Sequence, residues 1–431
     1  MKIDLLYGQY GLVLDFPDDL DVTVIRKHPM APIETPEEAA HHALENPVGS
    51  PKLSHQALGR KNACILVCDI TRPVPNGVLL PPLINTLTRS GIDPKNILIL
   101  VATGLHRPNQ GAELRELIGS DTLPDRIAIE NHFARDRGAH MDLGVTSNGI
   151  PMVIDRRFVN ADLKIVTGLV EPHFMAGYSG GRKVVAPGVA HQDTILTFHT
   201  AHILENPKAA NCILEGNPLH QAQLEIVRAI GDIQALNVVI DEARRIGFLN
   251  FGAIEESHVQ AVDFMRRHAE VPVGGRFKTV VTTSAGYPLD KTYYQTIKGM
   301  VGVLDIVAPG GDIIIASACS EGMGSAEFVT AQKSLCRLGP DGFMEMLKGR
   351  EKAEIDEWQT EMLVKALRVG NVHLYTEGLS SEDLEDIYVK PIPSIKAAIL
   401  ESVKRQGDNR VAVVPEGPYV VPLNKPHDLK S

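Results

Sequence analysis

Residues 63–76 read ACILVCDITRPVPN. Ala63 to Cys68 form an apolar run of strand length, the pattern of a parallel strand covered on both faces. The run stops at Asp69, and the turn beyond it carries Asp69, Thr71 and Arg72. Working outward, the pattern predicts a helix over Leu79–Ser90, a strand over Ile97–Val101, a turn ATGLHRPN at 102–109, a helix over Ala112–Ile118 and a strand over Ile127–Glu130. Such alternation implies right-handed βαβ units and a doubly wound sheet.

Further on, a strand over Leu163–Val166 leads into EPHFMAGYSGGRKVVAPG at 171–188. Asn217–Pro218 starts a helix running to Ile230, with Asn as cap and Pro at the first helical position. A strand over Leu236–Ile240 and a helix over His258–His268 complete this half. Residues 1–25 read as short strands, and 28–55 as a connector containing the helix EEAAHHAL. After Val271–Gly275, read as a hinge, come strands over Thr279–Thr283, Asp312–Ala316 and Asn371–Thr376, with a helix over Glu351–Arg368. The expectation is therefore an α/β protein of two domains, each a mostly parallel sheet flanked by helices. They span 1–270 and 276–405, with the tail 406–431 returning to the first and an active-site cleft between the domains.

A chain of 431 residues exceeds one ordinary core, which supports that division. Its formal charge of −10 argues against nucleic-acid binding, which needs a clustered basic surface. No apolar run reaches the roughly 18 residues of a membrane span. Cys64, Cys68, Cys212, Cys319 and Cys336 form no C-x-x-C pair, as in a reducing, cytoplasmic compartment.

Parallel strands share one carboxyl edge, so the turns after Cys68, Val101 and Val166 can converge there. They bring Asp69, Thr71 and Arg72; Thr103, His106 and Arg107; and Glu171, His173 and Lys183. One histidine in such a turn is more often a structural hydrogen-bonding residue; two at matched turns point to acid/base chemistry. Gly177, Gly180, Gly181 and Gly188 allow a backbone cradle for an anion beside Lys183, although Val184 occupies the hydroxyl position of a P-loop. His199 and His202, three apart, could share a helical face as metal ligands, or be two solvated imidazoles. Gln295 and Lys298 could present an amide and an ammonium from one helix, or lie on a plain amphipathic face.

DITRPVPN (69–76), ATGLHRPN (102–109), EPHFMAGYSGGRKVVAPG (171–188), TFHT (197–200), EGNPLH (215–220) and GYPLDKTYYQTIKG (286–299) together resemble the nickel-dependent lactate racemase family, in order and across most of the chain. The resemblance implies two α/β domains and a nickel pincer nucleotide, a pyridinium-derived mononucleotide bearing thioamide and thiocarboxylic groups, joined covalently to Lys183. It implies His199 as the protein's nickel ligand, and His106 and His173 as the acid/base pair. Asp69, Thr71, Gly180, Gly181, Tyr294 and Trp358 would serve the cofactor; Arg72, Gln295 and Lys298 would serve the substrate. The implied partners are a small 2-hydroxy acid and cofactor-synthesis enzymes, with neither nucleic acid nor membrane. Where lactate-specific members have a small residue before the lysine, this chain has Arg182, which reads either as a ligand of cofactor phosphate or as the mark of a larger or more anionic hydroxy acid. Two further readings stay open: a metal-dependent lyase or hydrolase using His199 and His202 directly, and a non-catalytic binder of nucleotides or sugar acids.

Overall fold

The computed structural model describes residues 1–119, 123–124 and 126–425. It contains two compact units: Pro29–Phe198 with Asn206–Arg267, and Met1–His28 with His199–Glu205 and the chain from His268 onward.

The first unit is built on a six-stranded sheet of β1 (Ala63–Cys68), β2 (Ile97–Ala102), β3 (Ala128–Asn131), β4 (Leu163–Leu169), β5 (Ile233–Ile240) and β6 (Ile246–Ala253). Its order is β6-β5-β4-β1-β2-β3, with only β6 antiparallel to its neighbour. The apolar run of β1 is central, and Ala63 to Val67 are almost wholly buried. Helix α1 (Asn76–Arg89) places Leu79, Leu80, Leu83, Ile84 and Leu87 in one cluster with Ile65, Val67, Ile99 and Val101. Each such side chain contributes roughly 1.5–3 kcal/mol on burial. The chain moves from β1 to β2 and β3 on one side, then returns to β4 on the other. The turns after β1 and β4 therefore flank the point where strand order reverses, the usual ligand site of an open α/β sheet. Around this frame lie α2 (Gly111–Ile118), α3 (Arg182–Val185), α4 (Pro218–Ile230) and α5 (Ile254–Ala269). As its sequence predicts, α4 is capped by Asn217, whose Oδ1 accepts from the backbone of Leu219 and His220.

In the second unit, β7 (Phe277–Thr283), β8 (Val307–Ala316), β9 (Gly370–Tyr375), β10 (Lys390–Pro391) and β11 (Arg410–Val414) form an all-parallel sheet with Asp21–Val24. The order is β10-β9-β8-β7-β11 followed by Asp21–Val24 at the edge. Its helices are α6 (Tyr293–Gly302), α7 (Ala326–Lys348), α8 (Glu357–Val369) and α9 (Ile395–Gln406).

These units do not follow the expected spans 1–270, 276–405 and 406–431. The N-terminal strand Asp21–Val24 pairs with β11, and β11 pairs with β7, so the hydrogen bonds tie residues 1–28 and the tail to the C-terminal sheet. Residues 426–431 of the tail lie outside the described residues. The expected hinge at Val271–Gly275 is partly a strand, because Glu270–Val273 pairs with Val421–Asn424. No element was expected over 326–348, where α7 lies; Gly339 (φ +68°) and Pro340 kink it and interrupt the helical pattern.

Candidate active site

At the carboxyl edge of the first sheet, Asp69 is buried. It accepts from Thr71 Oγ1 at 2.6 Å and pairs with His106 Nδ1, from the turn after β2, at 2.6 Å. Burial alone would raise the Asp69 carboxyl; the bonds from His106 and Thr71, with the Arg72 charge, hold it below its ordinary value instead. The ionised carboxylate fixes the proton of His106 on Nδ1 and leaves Nε2 with a free lone pair on a largely exposed ring. Replacing Asp69 by Asn is expected to keep the hydrogen-bonding shape but release that tautomer, lowering kcat by roughly 10²–10³-fold, as steady-state rates would show.

Across the reversal point, Arg72 pairs with Glu171 from the turn after β4. Gly104 N donates to Gly188 O at 2.9 Å, joining the β2 turn to the end of the glycine loop. The three turns that carry Asp69, His106 and Glu171 are thus brought together. His173 lies on the same loop, and its Nδ1 accepts from the backbone N–H of Met175 and Ala176 at 3.3 and 3.2 Å. Its neutral form therefore carries the proton on Nε2, the opposite tautomer to His106.

Ser179 pins the loop by donating to Leu169 O at 2.7 Å and accepting from Glu171 N at 3.0 Å. Gly180 (φ +77°) has no room for a side chain: a Cβ there would come within 2.6 Å of Val170 Cγ2. A Cβ on Gly168 would meet Gly181 N at 2.9 Å, so the loop folds directly onto the end of β4. Lys183 follows on α3. Among the described residues its amine has no hydrogen-bond or ion-pair partner. Burial, and next the Arg72 charge, push its pKa down to about 7.

That shift has a sign that can be measured. In the unfolded chain the amine holds its proton up to about pH 10.4, in the folded chain only to about 7. The unfolded state therefore binds more protons across that window, and this group makes stability rise with pH between those values. In the cofactor-free protein, Lys183→Met is expected to raise Tm by about 5 °C at pH 6–7, after discounting for partial exposure, with the gain vanishing towards about pH 10. Thermal melts across pH would show it.

Arg182 serves neither role expected of it. It is only 1% exposed. Its guanidinium turns inward to His220, His258 and the carbonyls of Ala176, Ser179 and Gly180, which leaves it no access to a ligand's phosphate or carboxylate.

A second group of expected site residues lies in the other unit. His199 sits in the turn between the helices Gln192–Phe198 and Ala201–Leu204, its ring 4.3 Å from that of Trp358 on α8. Trp358 Nε1 donates to Tyr294 Oη at 3.3 Å. Gln295 and Lys298 are on α6, and Gln295 Oε1 is buried without a hydrogen-bond partner. His199 and His202 do not share a helical face, because the helix breaks between them; His202 is exposed on the next turn. Among the described residues no three His, Cys, Asp or Glu side chains are grouped to hold a metal. Sequence reasoning missed Glu361, one turn beyond Trp358. It is 1% exposed, neither carboxyl oxygen has a hydrogen-bond partner, and burial pushes its pKa up to about 8. A carboxyl inside an otherwise buried helical turn was its only signal.

The glycine loop that carries Lys183 and the turns that carry the Asp69–His106 pair meet at one carboxyl edge of a mostly parallel sheet, the usual ligand site of such a fold. Residues 7–211 match the lactate racemase N-terminal domain and residues 276–421 the lactate racemase C-terminal domain. The chain is 32% identical over 430 residues to the lactate racemase of Thermoanaerobacterium thermosaccharolyticum, covering 98% of this chain and 100% of that one. It is 31% identical to the lactate racemase of Lactiplantibacillus plantarum, covering 89% and 90%. The structure of the Thermoanaerobacterium apoprotein superposes with a TM-score of 0.91 at 31% identity, over 98% of this chain and 100% of that one. A Thermotoga maritima protein shares the fold, with a TM-score of 0.68 at 18% identity over 92% and 99%. The chain belongs to the lactate racemase family, and it is an isomerase of the racemase class.

Proposed function

We propose that the protein racemises or epimerises a 2-hydroxy acid with a nickel pincer nucleotide carried covalently on Lys183. The observation that carries this reading is the unpartnered amine of Lys183, its pKa lowered to about 7, on a glycine loop tied to the turns that hold Asp69 and His106. The residues fit such a group. Among the described residues the Lys183 amine has no partner, Gln295 Oε1 has an open acceptor, and the His199 imidazole, its ring tilted 4.3 Å from that of Trp358, offers a donor beside an aromatic face. In this reading Lys183 tethers the nucleotide, His199 ligates nickel, and Asp69, Thr71, Gly180, Gly181, Tyr294 and Trp358 line its place.

When bound, the nucleotide supplies reversible hydride acceptance at the substrate carbon. The protein's own part is proton transfer and orientation. His106, with Nε2 unprotonated, accepts the hydroxyl proton of one enantiomer; His173, with its proton on Nε2, stands as the complementary donor, and the roles exchange for the other enantiomer. Imidazole suits both directions because its reference pKa, about 6.5, lies near neutrality. Arg72, Gln295 and Lys298 orient the substrate. The guanidinium of Arg72 suits a planar carboxylate, which would exchange with or share its bond to Glu171.

Among the described residues no helix is long and apolar enough to cross a membrane. We place the protein in the cytoplasm, where its cysteines stay reduced and where enzymes that synthesise the nucleotide would be its partners. The test is to incubate single enantiomers of a panel of 2-hydroxy acids, lactate included, with protein made with and without those enzymes. Chiral chromatography should find the opposite enantiomer only with the loaded protein; turnover by the unloaded protein would contradict the reading.

A further inference from the structure

Asn217 does more than cap α4. A cap needs only an oxygen acceptor, and Asn217 Oδ1 supplies it by accepting from Leu219 N at 3.0 Å and His220 N at 3.2 Å. The amide nitrogen has two hydrogens to spare, and it donates them to Met175 O at 2.8 Å and Ile213 O at 3.0 Å. The side chain is wholly buried, and these bonds fix which end of its amide is which. With the two ends exchanged, the NH₂ group would face backbone N–H groups and the oxygen would face carbonyls.

Met175 C=O and Ala176 N–H belong to one planar trans peptide and point in opposite directions. A carbonyl held by Asn217 therefore turns that N–H the other way, where it donates to His173 Nδ1 at 3.2 Å, beside Met175 N at 3.3 Å. The next peptide is gripped from the same turn of α4. Arg182 Nη2 donates to Ala176 O at 3.1 Å, and Arg182 Nε donates to His220 Nδ1 at 2.8 Å. The segment before α4 closes on the hairpin as well: Cys212 N donates to Gly177 O at 3.1 Å, and a Cβ on Gly177 (φ +76°), the residue paired with His173, would come within 2.2 Å of Ile213 O.

We propose that Asn217 is a positioning residue for His173: by holding the Met175 carbonyl it aims the Ala176 N–H at Nδ1, and so keeps the imidazole proton on Nε2. With that grip released the peptide is free to turn, and Nδ1 loses the donor that excludes a proton from it. The tautomer follows from the hydrogen bonds alone; its meaning for turnover rests on the proposed acid/base role of His173.

The test uses the full-length, cofactor-free protein carrying ¹⁵N-labelled histidine, with the ring signals of His173 identified by their loss in His173→Asn. At about pH 9, where imidazole is neutral, the wild type should show His173 as the Nε2–H tautomer. Asn217→Asp keeps the cap and the side-chain shape without a donor, and Asn217→Ser keeps the cap on a shorter side chain. Both should show a substantial Nδ1–H population of His173 and, when loaded with the nucleotide, a kcat lower by roughly tenfold at unchanged KM. A purely structural cap would lower Tm and leave His173 entirely Nε2–H in both variants. That result, or a wild type with the proton on Nδ1, would overturn the proposal. A shifted tautomer with undiminished kcat would instead sink the acid/base role of His173 and leave the positioning by Asn217 standing.

Discussion

Lys183→Ala, produced together with the cofactor-synthesis enzymes, is expected to lose racemisation by more than about 1,000-fold while keeping its fold. The size of the loss follows from what the protein lacks. On the proposed route the C–H bond of the 2-hydroxy acid is broken by hydride transfer, which needs an acceptor, and no amino-acid side chain is one. His106, Asp69 and the cations can move a proton and hold a carboxylate, but with no acceptor present they have no reaction to assist. The fold should survive because the amine is unpartnered and its removal takes away a desolvated charge rather than a bond. Circular dichroism and thermal melts separate the two effects. A variant with full activity would mean that the tether lies elsewhere.

His106→Asn and His173→Asn are each expected to lower kcat/KM by roughly 10²–10⁴-fold, the usual worth of a positioned acid or base. Enantiomers have equal free energy, so kcat/KM must fall equally in both directions whichever histidine is removed. The individual kcat and KM values can still split, since His106 and His173 enter with opposite tautomers. Measuring both directions by polarimetry gives an internal check. If either variant changed only KM, by the same factor in each direction, that histidine would be a binding residue.

The first sheet was legible because its signal is local. The buried run Ala63–Cys68 and the polar turn after it are read from composition alone, and parallel topology then forces the turns of β1, β2 and β4 onto one edge. The cap at Asn217 was legible for the same reason. What escaped the reading depends on partners far along the chain. Asp21–Val24 is a short, largely exposed edge strand whose place is decided by hydrogen bonds to β11, almost 400 residues away. The inward turn of Arg182 is set by His220 and His258, so its own neighbours in sequence, two glycines and a lysine, suggested a ligand instead. The motif DITRPVPN named Asp69, but only the folded chain shows its carboxylate on His106 Nδ1. The break between His199 and His202 likewise removes a shared helical face that spacing alone allows.

The central claim is that the amine of Lys183 carries the hydride-accepting nucleotide. Intact and peptide mass spectrometry of protein produced with and without the cofactor-synthesis enzymes tests it most directly. The account predicts an added mass, localised to the peptide containing Lys183, in the loaded protein only and absent from Lys183→Ala. Active protein with an unmodified Lys183, or an adduct on another residue, would contradict it.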